Sequence, residues 1–340
     1  MRTKNILLMN VNWLGDVLFS TPTIRALKRN FPQARISVLI HPRCREILEG
    51  NPSIDELITY DEEGIHRSFI GKLRLIFYLR KKRFERVYIL HRSLTRAIIA
   101  YLSGIPKRIG YRYRKRALFL TDNFKLPLSN LHRADFYLGI LNSSGIEVKG
   151  DDKKLEFFIT DKERQGIKEI LKTEGIRYDE DFIVINPGTN WLPKRWPKEN
   201  FAELADILIE KYSKRVVITG SKKDSALADE IARLMKNRPV ILAGKTTLKE
   251  LGGLLERASL VISADSGPLH IAIAMGIKAI GLYGPTSLNI TGPYRNNHIL
   301  TIQKMIGCKI PCYNVDCTDN RCMKTITTGD VLKEVEKLIK

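Results

Sequence analysis

No uninterrupted apolar run in this 340-residue chain reaches the roughly 18 residues that a membrane-spanning helix requires. Cysteine is scarce, at five residues, which excludes a disulfide-stapled scaffold. A composition of 44% hydrophobic and 28% charged residues excludes collagen-like and disordered classes. G-x-G-x-x-G, H-E-x-x-H, G-x-S-x-G and P-loop patterns are all missing, so the familiar dinucleotide, metalloprotease, serine-hydrolase and nucleotide-loop signatures drop out. The basic start Met1–Lys4 leads into a short apolar stretch broken at Asn10, which reads as a buried strand and not a signal peptide. A cytoplasmic location is the expectation.

Acidic residues are the next shortage, and they are missing unevenly. Residues 1–150 carry 27 Lys and Arg against 12 Asp and Glu, whereas the remaining 190 carry 30 against 25. Between 66 and 133 there are 18 basic residues and only Glu85 and Asp122 to oppose them. Such a field favours an anionic partner: nucleic acid, an acidic membrane surface or a phosphorylated substrate. A solvated basic face is the alternative, and Arg80-Lys81-Lys82-Arg83 fits it. Residues 108–116 fit it less well, because Tyr111 and Tyr113 interleave the cations there.

What is present in quantity is alternation. Short apolar runs at Asn5–Val11, Ile36–Ile40 and Val87–Leu90 read as strands, with a helix over 21–29. A clearer series follows: strands at Phe182–Asn186, Val216–Thr219, Val240–Leu242, Leu260–Ser263 and Ala279–Tyr283, with helical patterns around 198–212, 224–236, 247–257 and 267–275. Strands alternating with helices predict an α/β chain with doubly wound parallel sheets. The polar stretch around 142–180, with a helix near 161–174, separates two Rossmann-like domains, 1–160 and 161–340, expected to face a cleft.

In open parallel sheets ligands bind beyond the carboxyl ends of the strands, so the loops there are the ones to read. After the first strand, Gly15 permits a tight turn and Asp16 stands where a helix begins, either as an N-cap or as a general base. After Phe182–Asn186 comes a loop with Gly188, Thr189, Asn190, Trp191, Lys194 and Arg195, closed by Pro197 at a helix start. Its amide, hydroxyl and ammonium groups suit a phosphate. After Leu260–Ser263, Asp265-Ser266-Gly267 runs straight into a helix opened by Pro268, and the exposed amides there with the Ser266 hydroxyl form an anion site. Asp265 is suited to orienting that loop or binding a hydroxyl, and His270 lies one turn further on. Residues 219–224 and 283–286 make two further strand-end turns. Cys308, Cys312, Cys317 and Cys322 are spaced C-x3-C-x4-C-x4-C, looser than paired C-x2-C zinc knuckles. A structural zinc, free thiols and labile disulfides all remain open, while isolated Cys44 reads as buried.

Taken in order, Gly15-Asp16-Val17-Leu18-Phe19-Ser20-Thr21-Pro22, Asn186-Pro187-Gly188-Thr189 with Lys194-Arg195-Trp196-Pro197, and Asp265-Ser266-Gly267-Pro268-Leu269-His270 resemble the bacterial lipopolysaccharide heptosyltransferases of glycosyltransferase family 9. The resemblance runs through nearly the whole chain. The cysteine cluster ending in Cys322-Met323 is more similar to the second-heptose branch. The resemblance implies a GT-B fold, with ADP-heptose held chiefly by the C-terminal domain and a Kdo–lipid A inner-core acceptor held by the N-terminal domain. It implies Asp16 as the general base, and Thr189, Asn190, Lys194, Asp265, Ser266, Gly267 and His270 as donor-binding residues. Lys222 departs from the pattern, falling where some members carry an acidic donor contact.

One base and in-line displacement of ADP suffice for inversion, and cations with helix-start amides can take the leaving diphosphate. No catalytic cofactor is therefore expected. The excess of cations suits an anionic acceptor at the cytoplasmic face of the inner membrane, giving a peripheral, electrostatic association. Two rival readings are a GT-B enzyme for another nucleotide sugar and a basic nucleic-acid-binding protein. The second leaves the loops at 186–197 and 265–270 unexplained, so no nucleic-acid partner is expected.

Overall fold

A computed structural model describes residues 3–127, 130–177 and 179–339. The chain divides into two compact units, Met1–Phe158 and Ile159–Lys340. Each is built on one six-stranded, wholly parallel sheet. The first holds β1 (Asn5–Met9), β2 (Arg35–Ile40), β3 (Glu56–Thr59), β4 (Arg86–Ile89), β5 (Lys107–Tyr111) and β6 (Asp122–Phe124). The second holds β7 (Phe182–Asn186), β8 (Arg215–Ile218), β9 (Val240–Ile241), β10 (Leu260–Ala264), β11 (Ala279–Tyr283) and β12 (Ile299–Gln303).

Central strands covered by helices on both faces read as unbroken apolar runs, which is why Ile6-Leu7-Leu8-Met9 and Phe182-Ile183-Val184-Ile185 are legible and wholly buried. Four strands at or next to a sheet edge are different. β3, β5, β6 and β12 are not anticipated from the sequence, because they mix polar and apolar residues. β5 lies inside the basic, tyrosine-bearing segment, whose interleaved cations and aromatics hide its strand pattern. The helix expected over 21–29 spans Thr21–Asn30 and is preceded by a separate short helix, Leu14–Phe19. In the second unit, helix Asp161–Thr173 opens with a capping box between Thr160 and Glu163. It lies against helix Leu248–Arg257, where Arg164 donates to Glu256 at 2.8 and 3.0 Å.

Strand order runs β3-β2-β1-β4-β5-β6 in the first unit and β12-β11-β10-β7-β8-β9 in the second. Counted within each unit, these are the same doubly wound order. The order reverses between β1 and β4 in one sheet and between β7 and β10 in the other. Such a reversal leaves a crevice at the carboxyl ends of the two strands, because their following connections depart to opposite faces.

Candidate active site

The first unit's crevice is floored by Asn10, wholly buried just past β1. Its side-chain amide donates to Ser20 Oγ at 2.8 Å, and its carbonyl side receives the Val11 N–H at 2.8 Å. Arg96 is also fully buried and clamps this turn, donating to the Asn10 carbonyl and, at 2.6 Å, to Asn12 Oδ1. Asn12 passes the link to Glu62 through its own amide. Arg43 donates to the Asn12 carbonyl at 3.0 Å while lying over the exposed Trp13 ring. The turn before Asp16 is therefore held from three sides by cations and amides.

Asp16 does not cap its helix. Trp13 occupies the N-cap position, and Asp16 falls in the first turn. Tyr137 donates its phenol to Asp16 Oδ1 at 3.1 Å, and Arg133 Nε lies 3.8 Å from the same oxygen. Burial, reinforced by the Asp16 charge, drives the Tyr137 phenol well above its ordinary value, so it stays a proton donor. Arg133 and Tyr137 sit four residues apart on helix Arg133–Ser143, which places both on one face. The sequence reading missed them, because they lie some 120 positions from Asp16 and carry no local motif. At the end of β4, Arg116 is buried and donates to the carbonyls of Ile89 and His91 at 3.1 and 2.6 Å. Burial and the neighbouring Arg92 bring its guanidinium down to about 10. Burial and Arg96 likewise bring the His91 imidazole down to about 4.

The second crevice has the opposite charge at its centre. Asp265 follows β10, is 3% exposed, and bridges two partners. Lys194 Nζ is 2.8 Å from its Oδ2, and His270 Nε2 is 3.0 Å from its Oδ1. Burial alone would raise this carboxyl; the His270 bond and charge, with the Lys194 ammonium, outweigh it and hold Asp265 well below the usual carboxylate range. Thr291 Oγ1 also reaches Oδ2, at 3.4 Å. Asp265 thereby holds the Lys194 ammonium beside the start of helix Gly267–Met275. Ser266 is that helix's N-cap residue but makes no side-chain cap bond. Its hydroxyl meets Ser263 Oγ at 2.9 Å and accepts from Asn186 at 3.1 Å. Asn186, buried at the end of β7, also reaches Ser263 Oγ and the Gly188 carbonyl, tying the two strand ends together.

Thr189 is buried, and its hydroxyl donates to the Trp191 carbonyl at 2.7 Å, so that donor serves the loop itself. Asn190 is exposed. Gly188 is required by its neighbour: a Cβ there would stand 2.4 Å from the Asp224 carboxyl carbon. Asp224 also accepts from Arg195 at 3.3 Å and from the Ser221 N–H and hydroxyl. Lys222 is exposed at the opening of that turn. The structure thus brings Lys194, Asp265, Ser266, Gly267 and His270 to one crevice, and places Asp16 in the other unit.

Cys308, Cys312, Cys317 and Cys322 are free thiols that line one small cavity beside Pro193, Gly284 and Pro285. Among the described residues, no group of three or more His, Cys, Asp or Glu is arranged to hold a metal ion. Cys44 is buried and free, and burial pushes its thiol up to about 11.

Two Rossmann-like units, one carrying a positioned carboxylate and the other a lysine beside an amide-rich helix start, have the GT-B architecture and the charges that a glycosyltransferase of that class needs. The profile of "Glycosyltransferase family 9 (heptosyltransferase)" matches residues 72–319, and the chain belongs to that family. It is 30% identical to lipopolysaccharide heptosyltransferase 2 of Escherichia coli K12 over 98% of both chains. The crystal structure of the glycosyl transferase family 9 protein from Veillonella parvula superposes with a TM-score of 0.91 at 27% identity, covering 99% of this chain and 98% of that one. E. coli ADP-heptose lps heptosyltransferase II superposes with a TM-score of 0.80 at 26% identity, covering 98% of both chains.

Proposed function

We propose that this chain moves L-glycero-D-manno-heptose from ADP-heptose to the inner core of lipopolysaccharide, with inversion, adding the second heptose. The observation that carries the reading is the division of chemistry between the two crevices. Asp16, aimed by Tyr137 and Arg133, is the base that takes the acceptor hydroxyl's proton. Lys194, set by Asp265, lies with the Ser266–Gly267 helix start where a departing diphosphate needs positive charge. His270 acts through Asp265, while Thr189 and Asn190 shape the loop under the diphosphate. The residues 1–160 serve the acceptor, and 161–340 serve the nucleotide sugar. Lysine and helix amides supply the charge compensation, so the proposed step needs no cofactor.

An inner-core acceptor carries phosphates and carboxylates at a bilayer surface, which accounts for the cation excess of residues 1–150. No helix among the described residues is long and apolar enough to cross a membrane. The cation excess supports a peripheral, electrostatic position at the cytoplasmic face of the inner membrane as part of this proposal.

ADP release from ADP-heptose tests this, with Kdo2-lipid A and heptosyl-Kdo2-lipid A as alternative acceptors. Release that depends on heptosyl-Kdo2-lipid A supports second-heptose transfer, and release with Kdo2-lipid A reassigns the step to the first heptose. The exposed Lys222 favours testing UDP- and GDP-sugars in the same assay, and turnover with one of those alone would replace the donor.

A further inference from the structure

The helix Phe69–Lys81 has two unlike faces. Gly71, Leu75, Ile76 and Leu79 are buried against the first sheet's core with Leu7, Val87 and Ile89. Its outward face is not the usual polar one. Phe69 is 75% exposed, Ile70 62% and Phe77 57%, and they alternate with exposed Arg74, Arg80 and Lys81. The neighbouring helix Leu94–Leu102 continues the patch with Tyr101 and Leu102, both about half exposed. The adjoining turn Arg114–Phe119 adds Leu118, 81% exposed, just after the cations Arg114-Lys115-Arg116. The second helix and the turn touch, the Tyr101 ring meeting Phe119 at 5.7 Å and the Arg108 guanidinium covering Tyr101 at 5.3 Å, and the second helix packs beside helix Phe69–Lys81. Single exposed apolar side chains are ordinary, but a run of this kind marks an interaction surface.

The charge selects the occupant. Residues 66–133 hold 18 cations and two acids, so a second copy docking on the same patch would set like charge against like. Nucleic acid would use the cations and leave Phe69, Ile70 and Phe77 in water. Anionic lipid uses both, because headgroup phosphates take the cations while aromatic and aliphatic tips enter the headgroup–acyl boundary.

We propose that the outer face of helix Phe69–Lys81, extended by Tyr101, Leu102 and Leu118, is the surface by which this chain inserts shallowly into an anionic bilayer. The proposal deepens the peripheral-membrane reading above and rests on it. It adds that attachment is not electrostatic alone, so part of it survives high salt, which screens charges and leaves apolar burial in place.

The test is co-sedimentation of the full chain with vesicles of phosphatidylcholine alone or with 30% phosphatidylglycerol, over a range of salt. The wild type is expected on the anionic vesicles, with a bound fraction remaining at 0.5 M NaCl. The double variant Phe69→Ser/Phe77→Ser is expected to lose at least tenfold in vesicle affinity and to lose the salt-resistant fraction. Arg74→Gln/Lys81→Gln is expected to lose low-salt binding and its dependence on phosphatidylglycerol. Equal vesicle binding by wild type and the Phe double variant overturns the proposal, as does a wild type that binds neither vesicle. A Phe variant that changes sedimentation from dimer to monomer, with vesicle binding intact, makes the patch a self-association surface instead. Turnover on a water-soluble, deacylated acceptor is expected to be the same in all variants. Its absence in the wild type would sink the transferase reading while leaving the vesicle result to stand by itself.

Discussion

The two units share one strand order and one crevice position, yet they bury opposite charges there. In the first, two guanidiniums are out of solvent: Arg96 clamps the Asn10 turn, and Arg116 spends its hydrogen bonds on the Ile89 and His91 carbonyls. In the second, the buried charge is the Asp265 carboxylate, compensated by Lys194 and His270. Topology therefore fixes where a ligand is held, and the side chains at the strand ends fix which ligand it is. Guanidiniums in excess of the carboxylate near them, Glu62 at 3.6 Å from Arg96, suit an acidic acceptor. A carboxylate that aims a lysine at a helix start suits a diphosphate.

The sharpest way to break this comparison is to remove one charge from each crevice and read both substrates. Asp16→Asn is expected to lower turnover by about 10²–10⁴-fold, the range for a general base, with ADP affinity unchanged. Lys194→Ala should lower turnover and ADP affinity together. Steady-state kinetics and calorimetric titration of ADP separate the two, and an equal loss of ADP affinity in both variants would end the division of roles. Stability gives the next largest effect. Asp265→Ala strands a lysine that is only 18% exposed and a buried histidine, and breaking a buried pair from one side costs about 3–5 kcal/mol. Partial exposure of Lys194 puts the expectation near about 3 kcal/mol, read in urea by tryptophan fluorescence. Trp191 and Trp196 report the second unit and Trp13 the first, so the shift should be absent from the Trp13 signal in single-tryptophan variants.

The sequence made the buried strands and the three strand-end motifs legible, because a parallel core strand has no polar face to blur its pattern. It did not reveal β3, β5, β6 or β12, where partial exposure lets polar residues into the strand. The second unit's crevice was readable as Asp265-Ser266-Gly267-Pro268 and Lys194, since strand and helix boundaries announce a phosphate-type turn locally. The bond from His270 to Asp265 was not read, although the five-residue spacing was visible. The first unit's crevice was readable only at Asp16. Its further members Tyr137 with Arg133, Arg96 and Glu62 arrive from three other places in the chain, and no local pattern foretells a contact of that sequence separation.

Acid should separate the units by pH. His91 titrates near 4 in the fold against about 6.5 unfolded, so the unfolded chain binds the extra proton between those values. The neutral-imidazole contribution is complete above about pH 6.5 and is lost as pH falls toward 4, amounting to about 1–3 kcal/mol. Asp265 is depressed from the ordinary carboxylate value, so its contribution persists down to about pH 4 and is lost only below that. Hydrogen exchange between pH 7 and 4.5 is thus expected to loosen the first unit while the second keeps its protection. His91→Gln should flatten that dependence, and equal loosening of both units in the variant and wild type would remove His91 as the cause.

The smallest expected effect distinguishes a ligand-binding serine from a structural one. An ordinary N-cap serine costs about 1 kcal/mol of stability when replaced by alanine, because its oxygen satisfies an orphan amide of the first turn. Ser266 occupies the N-cap of helix Gly267–Met275 without making that bond, and its hydroxyl is engaged with Ser263 and Asn186 instead. Ser266→Ala is therefore expected to cost under about 1 kcal/mol in urea unfolding, and Asn186 keeps the Gly188 and Ser263 bonds that tie β7 to β10. The first-turn amides left uncapped by Ser266 are the groups a diphosphate would satisfy, so the variant's loss should appear in ADP affinity as a few-fold weakening. A full N-cap loss in stability with ADP affinity unchanged would make Ser266 a helix cap, and would shift the charge recognition in this crevice onto Lys194.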